Sequence, residues 1–227
     1  MGAHLRDYRW PEITGAPVVL LPVGSTEQHG HHLPLDTDAV VATAVAEGMR
    51  SRLGPGVLVA PTVPYGASGE HQHFPGTVSI GSEALGLLLL EFVRSVSSWA
   101  AEVIIVNGHG GNASTIASVV RQARTEGHRL SWVPCAVPDS DAHAGLTETS
   151  LMLHLAPQRV MLAKATLGNT RPLTELLPAL KINGVRSVSP TGVLGDPTGA
   201  SAEHGKSILQ AMIDGATGAL QSARRAP

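Results

Sequence analysis

Gly24-Ser25-Thr26-Glu27-Gln28-His29-Gly30-His31-His32-Leu33-Pro34-Leu35-Asp36-Thr37-Asp38 joins an apolar run, Val18 to Val23, to a stretch of helical periodicity that continues to Leu53. The run is rich in Val and Leu, with no polar alternation, as in a strand covered on both faces. The joining segment carries three histidines and three carboxylates within fifteen residues. Imidazole nitrogen and carboxylate oxygen suit Zn²⁺, Fe²⁺ or Mn²⁺. A second cluster, Asn107-Gly108-His109-Gly110-Gly111-Asn112, follows another apolar run, Val103 to Val106. Two ligand-rich loops leaving two buried strands point to a metal-dependent hydrolase.

The strand–helix alternation extends outward from there. A helix is expected over Thr37 to Leu53, closed by Gly54-Pro55-Gly56, and a short strand over Val57 to Ala60. Residues Pro61 to Gly81 read as an extended functional loop. Ser82 to Trp99 reads as a helix with Ser82 as N-cap. Asn112 to Glu126 reads as another, ended by Gly127, and Leu130 to Cys135 as a strand. Helices follow over Thr147 to Leu155 and Ala202 to Ala223, with mostly loop and one strand near Leu167 between them. Such alternation implies an α/β fold, a mainly parallel sheet with helices on both faces. Sites in such sheets lie beyond the carboxyl ends of the strands, where both clusters fall. No repeat or linker divides the chain, so residues 1–227 are expected to form a single domain.

Composition narrows the function. Sixteen basic against eighteen acidic residues leave a net charge of −2, so no basic surface suggests nucleic acid. The single cysteine, Cys135, excludes an intrachain disulfide and fits a reducing compartment. The opening Met1 to Asp7 lacks a signal peptide's apolar core, and no run is long enough to span a membrane. The expected address is the cytoplasm.

Glu27 and His29, two residues apart, face the same side of an extended segment. Asp38 lies at the start of the helix and can fold back to the same point. A carboxylate can bridge two metals roughly 3.5–4 Å apart, which suits Asp38 with Glu27 on one ion and His29 on the other. His109 adds a ligand from the neighbouring strand. Asp36 and Asp38 compete for the bridging role, and spacing does not choose between them. His31 and His32, being consecutive, cannot both face one site.

Glu27-Gln28-His29-Gly30-x-His32-Leu33-Pro34-Leu35-x-Thr37-Asp38 resembles the signature of the creatininase (creatinine amidohydrolase) family. Further stretches resemble its motifs: Gly66-x-Ser68-x-Glu70-His71-x-x-Phe74-Pro75-Gly76-Thr77, the cluster around His109, His143-Ala144-Gly145-x-x-Glu148-Thr149-Ser150, and Gly192-Val193-x-Gly195-Asp196-Pro197. The resemblance implies a three-layer α/β/α sandwich, two divalent metal ions per subunit (Fe²⁺ or Zn²⁺, also Mn²⁺) and amide hydrolysis in a homo-oligomer. It places ligands at Glu27, His29, Asp38 and His109, with Asp38 bridging in preference to Asp36. Creatininase itself has Tyr and Glu where this chain has Gly110 and Gly111, so creatinine is a doubtful substrate. Glu148 is the expected substitute ligand and a catalytic group; its plainer role is a helix N-terminal carboxylate. The resemblance makes His143 the general acid for the leaving amine. Glu70 and His71, in the long loop, are candidates for substrate binding.

Within the family, the wording from Tyr65 to His71 and from Phe74 to Gly81 is most similar to a peptidase branch. That branch acts on a modified ribosomal precursor peptide and releases a C-terminal dipeptide unit derived from Val-Tyr. Two alternatives belong to other classes: an amidohydrolase acting on a small cyclic amide or formamide, and a non-catalytic metal-dependent peptide-binding protein.

Overall fold

The computed structural model describes residues 4–138 and 140–225. Met1–Ala3, part of the stretch read for a targeting signal, lie outside the described residues. Four parallel strands form one sheet: β1 (Val18–Val23), β2 (Val57–Val59), β3 (Glu102–Asn107) and β4 (Leu130–Pro134), in the order β2-β1-β3-β4. The helices are α1 (Thr37–Leu53), α2 (Gly81–Val96), α3 (Ala113–Thr125), α4 (Leu146–Leu155), α5 (Leu173–Asn183) and α6 (Ala202–Arg225). Among the described residues no helix is long and apolar enough to cross a membrane.

The uniformly apolar strands are explained by two cores. Val19, Leu21, Val103 and Ile105 pack beneath α2 and α3, against Leu85, Leu89, Val93, Ile116 and Val120. Alternate residues Leu20, Ile104 and Val106 face α1, α4 and α6, against Val45, Met49, Leu151, Ile208 and Met212. Successive side chains of a strand point to opposite faces, so a strand sandwiched between helices has no polar side. Burying each such Leu or Ile stabilises the fold by about 1.5–3 kcal/mol.

Register sets the site. Val23 is paired with Asn107, so the loops beginning at Gly24 and Gly108 leave the sheet side by side. Gly108 donates its N–H to Val23 O (2.8 Å). A Cβ at Gly108 would overlap the Asp38 carbonyl and meet Ala42 Cβ at 3.1 Å, so only glycine lets the β3 loop lie against the first turn of α1.

Three expectations change. Helix α2 begins at Gly81 after Ile80, with no side-chain cap, and Ser82 lies inside its first turn. The expected strand near Leu167 is absent among the described residues; Gly168 and Asn169 instead donate to the carbonyls of Gly195 and Val193. Helix α5 occupies part of the stretch expected to be loop, although Pro178 lies within it.

Candidate metal centre

The two loops and the start of α4 converge on a buried cluster. Glu27, His29 and Asp38 are 0%, 0% and 2% exposed, burial that charged groups tolerate only with partners. Asp38 lies in the first turn of α1, and its two oxygens face different histidines: Oδ1 lies 3.0 Å from His29 Nε2, and Oδ2 3.3 Å from His109 Nδ1. His109 Nδ1 is also 3.2 Å from Glu27 Oε1, while Glu148 Oε2 approaches His29 Nε2 at 3.7 Å. Asp36 points away and pairs with Arg159 (2.5 Å).

Each histidine's outer nitrogen fixes what its inner nitrogen offers. His29 Nδ1 donates to the Glu27 carbonyl (3.1 Å), leaving Nε2 turned to Asp38. His143 Nε2 donates to the Gln28 carbonyl (2.7 Å), leaving Nδ1 turned to Glu27 Oε1 at 3.7 Å. His109 Nε2 lies against Ala67 O (3.3 Å) and Glu70 Oε1 (3.4 Å), leaving Nδ1 inward. Glu70 thus backs His109 from the cavity side.

His71 has the opposite polarity. Gly30 donates to Gln28 Oε1 (2.9 Å), so the Gln28 amide nitrogen must donate, to His71 Nδ1 (2.8 Å) and Gly192 O (3.2 Å). His71 therefore carries its proton on Nε2, 3.4 Å from Glu27 Oε1, and offers a hydrogen rather than a lone pair.

Charge balance fits a cation site. Both oxygens of Glu27 and Oδ2 of Asp38 are buried and make no well-formed hydrogen bond, with the imidazoles of His71 and His109 beside them, an arrangement that a cation completes. Three sets of donor atoms lie within metal-binding reach, namely Glu27, Asp38 and His109, then His29, His143 and Glu148, and then Glu27, His71 and His143. Burial opposes charge throughout. In Glu27 it is outweighed by His109, His71 and His143, which hold the carboxyl well below its ordinary value. In His29 burial is outweighed by Asp38 and Glu148, which raise it to about 10. Burial pushes Glu148 up to about 7. His143 is driven well below the ordinary histidine value by burial and by His29 and His71, so it rests neutral.

Several contributors carried no signal of their own in the sequence. Asn112 accepts from Ala67 N–H (2.9 Å) and donates to Gly24 O (3.1 Å) and Asn107 Oδ1 (3.3 Å), tying three loops together. His32 is buried with Nε2 against Thr149 Oγ1 (2.9 Å), whereas His31 is exposed. His73 lines the adjoining cavity and His204 lies exposed on α6.

A parallel sheet between helix layers, with carboxylates and imidazoles gathered beyond its strand ends, defines a metal-dependent hydrolase of α/β/α architecture. The family model for creatininase (creatinine amidohydrolase) matches residues 6–220. The chain is 54% identical over 203 residues to a mycofactocin precursor peptide peptidase of Mycolicibacterium smegmatis, covering 88% of this chain and 82% of that protein. A manganese creatininase superposes with TM-score 0.80 at 26% identity, covering the whole of both chains. A mutant creatininase of Zn-Zn type does so with TM-score 0.80 at 25% identity, again over both whole chains. The chain belongs to the creatininase family.

Proposed function

We propose that this chain is a metal-dependent peptidase that cleaves the modified mycofactocin precursor peptide and releases its C-terminal Val-Tyr-derived dipeptide. The observation that carries this is the likeness to the mycobacterial peptidase across most of both chains. A cavity of about 800 Å³ over the donor cluster supports it, being larger than a small cyclic amide needs.

Glu27, Asp38 and His109 would hold one divalent ion, and His29, Asp38 and Glu148 would hold a second. Fe²⁺ or Zn²⁺, and Mn²⁺ as well, suit this oxygen and nitrogen set. Ions held there would supply Lewis acidity and a water acidified towards neutrality. Glu70 keeps the inward nitrogen of His109 free for binding, as the Glu27 carbonyl does for His29. His143, neutral at rest with its Nδ1 lone pair inward, accepts the proton released by the attacking water. It then delivers that proton to the departing amine nitrogen, which leaves poorly as an anion. His71, with its hydrogen turned to Glu27, holds that carboxylate in place and faces the substrate cavity beside Glu70.

The test is to reconstitute the protein separately with Fe²⁺, Zn²⁺ and Mn²⁺, add the modified precursor peptide, and analyse products by mass spectrometry. Metal-dependent release of the dipeptide is expected. Intact peptide under every metal, with the ions bound, would instead direct attention to small amides and formamides.

A further inference from the structure

Two cavities meet at the donor cluster. The first, about 800 Å³, extends from His109 and His143 to Leu177, Leu180 and Ile182 on α5. The second, about 660 Å³, has Asp141, Arg171 and Asp196 in its wall. Gly110, Ala142, Glu148 and Leu173 line both. Gly110 stands at this junction without a side chain. A Cβ built there would meet no atom within 4 Å, and its backbone is not left-handed. Neither packing nor conformation therefore demands glycine at this position. Gly111 differs, since a Cβ there would press on His109 Nε2, Glu70 Oε1 and Ala67 O.

Hydrolysis of a bond within a chain requires room on both sides of the reacting carbonyl, whereas a small cyclic amide requires room on one. We infer that Gly110 is a specificity-determining position: its bare backbone joins the two cavities into one passage. A peptide then lies across the donor cluster, with apolar side chains on one side of the scissile bond against Leu177 and Leu180. This rests on the peptidase reading above, and it names the feature that admits a chain.

The test is a size series, Gly110→Ala, Gly110→Leu and Gly110→Tyr, each metal-loaded and checked for metal content and circular dichroism. Two quantities are followed: cleavage of the precursor peptide, and binding of the same peptide carrying an N-terminal fluorescein, by anisotropy. The Tyr variant is expected to keep its metal and weaken peptide binding at least about tenfold, with Leu intermediate and Ala least affected. If Tyr does not fold, the Ala-to-Leu step decides. Equal binding and cleavage across the folded variants overturns the inference while leaving the peptidase reading intact. Wild-type protein that binds without cleaving, with binding still falling along the series, overturns the peptidase reading and leaves the passage standing. Wild-type protein that neither binds nor cleaves the peptide overturns both.

Discussion

Asp38 faces His29 with one oxygen and His109 with the other, so its loss separates the two halves of the cluster. Asp38→Ala is expected to abolish turnover and lower bound metal, measured by elemental analysis, with the far-ultraviolet dichroism unchanged. Full metal content with near-normal activity would exclude a bridging role. Gln28 acts through other residues. Gln28→Leu, of similar volume, removes the amide that orients His71 and is expected to lower kcat roughly 10–100-fold with metal retained; an unchanged kcat would mean the amide only fills space. His32 supplies a pH signature. Burial, with the charges of His29 and His31, lowers it to about 4. As pH falls from the ordinary histidine value towards 4, the unfolded chain takes up this proton first and the native state loses stability. In urea titrations at pH 7 and pH 4.5, His32→Gln should lose less stability than wild type, by up to ~3 kcal/mol. Parallel losses would assign the pH effect to other groups. The residue types and spacing of Glu27, His29 and Asp38 were legible because they are local. Gln28 was not, since the partners of its amide, His71 and Gly192, are 43 and 164 residues away.

The elements were readable in proportion to how far their own pattern decided them. The strands announced themselves because both faces are buried, and α1 because Ala, Val and Met recur at helical spacing up to Gly54. Helix α5 was not legible. Pro178 interrupts it, and Leu173, Leu177 and Ile182 are exposed at 42%, 38% and 81%, so its apolar residues mark no single core face. Its role is set by the cavity it walls, which no local pattern encodes. The turn before α3 depends on Asn112, whose side chain bonds three loop segments. Asn112→Ala leaves Ala67 N–H and Gly24 O unpaired, so it is expected to cost about 2 kcal/mol or more in thermal or urea unfolding. A change within error would mean that water replaces the amide freely.

At the scale of the molecule, the donor cluster joins segments that are distant in sequence, from Glu27 to Glu148, and concentrates buried carboxylates between them. A cation bound there favours the native state alone. Stripping metal with a chelator is therefore expected to lower Tm, and restoring Zn²⁺ or Mn²⁺ to raise it again, as read by calorimetry. An unmoved Tm would mean the site contributes nothing to folding. The layered architecture followed from the strand–helix alternation. The meeting of the two loops followed only from strand order and register, which bring β1 beside β3.

Helix α4, which carries Glu148, packs with α1 against the long α6 through Leu151, Ile208 and Met212. During synthesis Glu27, His29, Asp38 and His109 leave the ribosome well before α6 does. Glu148 is therefore seated only when α6 has emerged to pack against α4, after the other donor residues are already exposed. On the proposed ligand set, metal loading is expected to be a late event in the life of each polypeptide, and a product interrupted before α6 is expected to lack a finished centre.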